Sequence, residues 1–164
     1  MKTLLTVDPG VHACGVAYFT DGKLNAATYL CASNKAPLTI SAPYLAARIS
    51  LWVGLAGRSR PSEVVIELPQ VYRRTLSKGD PNDLINLAVV CGAIAAQFPN
   101  VRFVRPAEWG KQIPKAIKNT RALAMLSDEE KSRIEYPKAK SLSHNVLDAV
   151  AIGLWALKRK KKEN

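Results

Sequence analysis

The segment Val146-Leu147-Asp148-Ala149-Val150-Ala151-Ile152-Gly153-Leu154-Trp155 carries one charge, the carboxylate of Asp148, among residues that are otherwise apolar or glycine. A helix so apolar has to pack against the rest of the chain, and it takes the carboxylate inside with it. A buried, unpaired charge costs several kcal/mol or more, so a cationic group has to meet it. Two further acids stand in similar settings: Asp8 ends the apolar run Leu4-Leu5-Thr6-Val7, and Glu67 ends Val64-Val65-Ile66. Taken singly, each reads better as a solvated or capping residue at the end of an element. Together, in a chain of net charge +11, they point to a shared metal site. Mg²⁺ prefers oxygen ligands and retains waters, so three or four acids or amides suffice. Phosphodiester cleavage with two such ions, about 3.5–4 Å apart, needs carboxylates converging on one point.

The pattern along the chain predicts how those acids are carried. Residues 3 to 8 read as a buried strand, turned at Pro9-Gly10 into a hairpin partner over 14 to 19. A second turn at Asp21-Gly22 leads into a third antiparallel strand, Lys23 to Cys31. Ser41, Pro43 and the spacing of Leu45, Ile49, Trp52, Val53 and Ala56 predict a helix that stops at Gly57. Glu63 to Glu67 and Val101 to Val104 read as short strands, with an apolar helix over 81 to 97 between them. That helix is apolar nearly all round, which calls for burial on most sides or a second subunit. Residues 105 to 140 are basic and mixed, with a helix starting at Ser127, and the last helix spans about 142 to 158. The expected fold class is α/β, a mixed sheet of three antiparallel strands then parallel strands, flanked by helices. The expected organisation is a single domain over 1–157 and a basic tail over 158–164.

Composition narrows the partners. There are 24 Lys plus Arg against 13 Asp plus Glu, an excess that favours a polyanion such as nucleic acid. Cys14, Cys31 and Cys91 are odd in number and far apart, with no CxxC pair, which argues for reduced thiols in the core and a cytoplasmic protein. No signal peptide is evident, and the apolar stretch Leu84 to Gln97 is shorter than the roughly 20 residues a membrane span needs, so no membrane partner is expected. On the last helix, at about 100° per residue, His144 lies some 40° from Asp148 and Asn145 some 60° on the other side. Both can face the same point as Asp148. His144 can then bind metal, position a water or shuttle protons.

Here the motifs resemble a known family. Leu4-Leu5-Thr6-Val7-Asp8-Pro9-Gly10 followed by Gly15-Val16-Ala17 is similar to the opening hairpin of the RuvC-like Holliday junction resolvases, within the RNase H-like superfamily. Val64-Val65-Ile66-Glu67 resembles their second acidic strand, and Leu147-Asp148-Ala149-Val150-Ala151-Ile152-Gly153 their C-terminal Asp-Ala-Leu-Ala-Ile-Ala helix. The three matches come in the family's order. The resemblance implies an RNase H-like fold and cleavage of four-way or other branched DNA by a bacterial or phage homodimer. It implies two Mg²⁺ ions per site, with Mn²⁺ able to substitute, and 5′-phosphate ends. It carries over Asp8, Glu67 and Asp148 as catalytic metal ligands. The family's fourth acid falls at Asn145, which leaves that place to Asn145 as a ligand or to His144 as a catalytic group. After the second acid the family has a loop whose aromatic residue intrudes at the junction centre. Tyr72 stands there, with Arg73 and Arg74 as phosphate contacts, and the apolar helix 83–97 is the expected dimer element. Lys78, Lys111, Lys115 and Lys118 are further candidates for binding nucleic acid. Two rival classes remain: a related nuclease acting on ribosomal RNA precursors, and a protein that binds branched DNA without cutting it.

Overall fold

A computed structural model of the protein describes residues 1–55, 57–71, 80–110 and 113–159, apart from the side chains of Lys115 and Ala116. Five strands, β1 (Thr3–Pro9), β2 (Ala13–Thr20), β3 (Lys23–Cys31), β4 (Glu63–Glu67) and β5 (Val101–Val104), form one sheet in the order β3-β2-β1-β4-β5. The first three are antiparallel neighbours, and β1, β4 and β5 run parallel. The β2–β3 turn places Asp21 and Gly22 at φ 48° and 79°, left-handed values that suit the twist of a two-residue hairpin.

Side chains alternate across each strand, and this divides the core into two layers. Leu5, Val7, Val16, Tyr18, Val64 and Ile66 meet α1 (Leu38–Leu55) and α2 (Pro81–Ala95) on one face. Leu4, Ala17, Phe19 and Val65 meet α6 (Ser143–Ala156) and its neighbours on the other. These neighbours are the short α3 (Pro106–Trp109), α4 (Lys115–Ala124) and α5 (Asp128–Ser132), with a 3-10 turn over Lys140–Leu142. Of the three cysteines, Cys14 and Cys91 are buried, and burial pushes both thiols up to about 12, where they are inert. Cys31 departs from the expected core placement: it ends the edge strand β3 and is exposed.

Three elements differ from expectation. The helix α1 starts at Leu38, because the Pro37 carbonyl accepts from the amides of Ile40 and Ser41; Pro43 falls inside it and Ser41 is buried. At 18 residues it is, among the described residues, the helix long and apolar enough to cross a membrane, though Leu45, Ala46, Ile49 and Val53 pack it on the sheet. Next, α2 ends at Ala95 rather than 97 and buries only Val90, Cys91 and Ile94; with Ile85 and Val89 exposed, burial on most sides is set aside and the second-subunit alternative stays open. Lastly, the stretch 105–140 contains α3 and α4 as well as the helix capped by Ser127.

Candidate active site

Strand parity puts the first two acids together. Thr6 donates through Oγ1 to the Ala149 carbonyl of α6 at 2.7 Å, so Thr6 faces α6, and Asp8, two residues on, faces the same way. Val65 packs in the α6 layer, so Glu67 does too. Val7 pairs with Ile66 in the β1–β4 register, which leaves Asp8 and Glu67 as the next residues at the C-terminal ends of adjacent parallel strands. Both are half-buried. Above them, Asp148 is only 4% exposed on α6.

A glycine lets α6 come so close. Gly15 pairs with Asp8 across the hairpin, and a methyl group there would collide with the Asn145 carbonyl in the first turn of α6. Gly15→Val should therefore lift that turn off the sheet and lower the melting temperature. A thermal melt on the variant checks this; a wild-type value would mean that α6 does not depend on the close approach.

Two side chains from the basic, mixed stretch 105–140 reach these acids. Trp109 of α3 donates its indole N–H to Glu67 Oε2 at 2.5 Å. Lys118 of α4 lies 4.4 Å from the centre of the Trp109 ring, and its Nζ is 3.9 Å from Asp148 Oδ1. A chain of contacts thus runs Glu67–Trp109–Lys118–Asp148. Lys118 is a cation of the kind a buried Asp148 requires, whereas the sequence assigns it to phosphate contact. The role of Trp109 is not signalled by its sequence context beyond its place in a basic stretch.

His144 is held by the 3-10 turn before α6. Its Nδ1 is 2.7 Å from the Ser141 carbonyl. A carbonyl only accepts, so the neutral ring carries its proton on Nδ1 and Nε2 is the basic nitrogen. Asn145 meets Gly15 through its backbone. Tyr72, Arg73, Arg74, Lys78 and Lys111 lie outside the described residues, as does the Lys115 side chain. The oxygen-rich set of Asp8, Glu67, Asp148 and Asn145 has the chemistry a hard divalent cation takes. Among the described residues, no group of three or more His, Cys, Asp and Glu side chains is already gathered to hold one.

No protein-family model matches the sequence, and no curated protein is significantly similar to it. Solved structures do match. RuvC of Thermus thermophilus in complex with a Holliday junction substrate is 18% identical, with a TM-score of 0.61 over 96% of this chain and 94% of that one. A second Thermus thermophilus RuvC structure gives the same identity and TM-score over 94% and 93%. The yeast mitochondrial Holliday junction resolvase Ydc2 is 13% identical, with a TM-score of 0.49 over 94% and 78%. Three antiparallel strands continued by two parallel ones, with helices on both faces, give this chain the RNase H-like fold of RuvC.

Proposed function

We propose that the protein is a metal-dependent, structure-selective endonuclease that resolves Holliday junctions and other branched DNA by phosphodiester hydrolysis. The observation that carries this reading is the placement of Asp8 and Glu67 at adjacent strand ends on the sheet face that α6 covers, with the buried Asp148 on that same helix. The fold shared with RuvC and the net charge of +11 support nucleic acid as the substrate.

Asp8, Glu67 and Asp148 would hold two Mg²⁺ ions, with Asn145 as a further oxygen ligand. Bound there, the ions would make a hydroxide-like nucleophile available near neutral pH and neutralise charge on the leaving oxygen. For Glu67 to serve as a ligand, its Oε2 gives up or shares the Trp109 N–H. Lys118 balances Asp148 across 3.9 Å and would be available to the phosphate once a cation took over that balance. His144, through Nε2, takes the proton of the attacking water or gives one to the leaving oxygen.

Symmetric cutting of a four-way junction needs two sites, and α2 supports a homodimer: Ile85 is 63% and Val89 47% exposed on one helix. The α1 side chains Ile40, Tyr44, Leu51 and Leu55 extend this apolar exposure on the same side of the sheet.

The test is a cleavage panel of labelled four-way junctions, Y-forks, linear duplex and structured RNA, in Mg²⁺ or EDTA. Paired symmetric nicks in the junction that vanish with EDTA are expected. Equal cutting of duplex and junction would remove the structure selectivity. Cutting of RNA alone would point to a ribosomal RNA nuclease, and tight junction binding without cleavage in any metal would leave a recognition protein.

A further inference from the structure

Beside the acids, α3, α4 and α6 enclose a cleft of about 400 Å³ that the mechanism does not use. Its size falls within the ~300–1,000 Å³ range of sites for small organic groups, with room for one base and its sugar. Trp109, Met125, Ala151 and Trp155 supply an apolar lining with two indole rings, and Arg121 and Lys158 add cations. No acidic residue is among the described residues that line it.

The position of this cleft is informative. Ala151 and Trp155 follow Asp148 on α6 by three and seven residues, which puts them about 4.5 and 10.5 Å along the axis and within about 60° of its direction. Trp109 and Lys118 belong to both places, since they contact Glu67 and Asp148 and also line the cleft. A group in the cleft is therefore within one nucleotide's reach of the acids. Apolar, aromatic surface attracts a base by stacking, and cations beside it attract the phosphates on either side of that base.

We propose that this cleft receives an unpaired nucleobase of the strand being cut, next to the scissile phosphate. The proposal rests on the nuclease reading above and adds to it a substrate requirement: a base free to leave its stack beside the cut. Base pairing inside duplex DNA withholds such a base, whereas a branch point supplies one at low cost. The cleft thus acts as a selector for branched substrates.

The experiment is an abasic scan. Four-way junctions carrying a single abasic site at successive positions around the cut are tested for binding in EDTA, where nothing is cleaved. For the wild type, one position should lose roughly tenfold in affinity, the worth of one stacked base. In Ala151→Phe, which fills the cleft, the intact junction should bind with the affinity that the wild type has for that abasic junction, and the scan should be flat. A second variant, Met125→Trp, fills the cleft from α4 and should do the same, so a folding defect in one variant does not decide the matter. A flat scan in the wild type, with junctions bound and cut normally, would overturn the cleft proposal and leave the nuclease reading standing. Failure to bind any branched DNA would overturn both.

Discussion

Asp148→Asn should lower junction cleavage by about 10³-fold or more, some 4 kcal/mol of transition-state stabilisation, while the folded protein in EDTA melts no lower than the wild type. The two halves of this expectation come from one fact. Asp148 is 4% exposed on a helix whose other nearby residues, Val146, Leu147, Ala149 and Val150, are all buried and apolar. Burying a carboxylate there is costly even with Lys118 at 3.9 Å, because an ion pair returns only part of its desolvation. An amide of the same shape removes that cost and with it the negative oxygen a divalent ion needs. A residue that costs stability and is indispensable to rate is a functional residue. Cleavage rates in Mg²⁺ and a thermal melt in EDTA, on the same preparation, decide it. A variant that cut normally would remove Asp148 from the chemistry, and one that failed to fold would make it a structural residue.

The three acids were legible in the sequence because each breaks a periodic apolar pattern, and a broken period is visible without tertiary information. The same holds for β4 and β5, whose bounds match the sequence reading, and for the Ser127 helix, where a capping box joins Ser127 and Glu130. What surrounds the acids was not legible. The helix α4 lies among several lysines, and Lys118 reads as a phosphate contact until the fold sets it beside Asp148, 30 positions away in sequence. Trp109 meets Glu67 across 42 positions for the same reason. Trp52 and Trp155 stand on apolar helical faces, yet both are only half-buried: Arg58 lies over the Trp52 ring at 4.2 Å and Arg102 over Trp155 at 5.4 Å. Local pattern states which face of an element is apolar, but not which charged side chain arrives from elsewhere to cover its edge.

Glu130→Ala is expected to cost about 3–5 kcal/mol, a fall in melting temperature of roughly 10–15 °C. The Glu130 carboxylate is 4% exposed and binds Arg159 through both oxygens at 2.5 and 2.7 Å; the backbone amides of Leu24 and Ser127 donate to it at 2.9 Å each. One acid therefore ties the β2–β3 hairpin, α5 and the end of α6, and it draws Arg159 out of the basic tail into the folded domain. With Gly15 at one end of α6 and this clamp at the other, the helix that carries Asp148 is fixed along its length. Burial by itself raises the carboxyl pKa, but the Arg159 guanidinium and the two amides outweigh it and bring Glu130 down to about 2. A folded pKa below the unfolded value contributes stability that is complete above about 4.5 and is lost as the pH falls towards 2. The shift corresponds to about 3 kcal/mol, in line with the cost expected for the substitution. Melts from pH 7 to pH 2 should show the wild type losing this increment below pH 4.5, while Glu130→Ala, already destabilised at pH 7, lacks that part of the acid dependence. If the variant melted within 3 °C of the wild type at pH 7, the clamp would contribute little, and α6 would owe its position to the sheet alone.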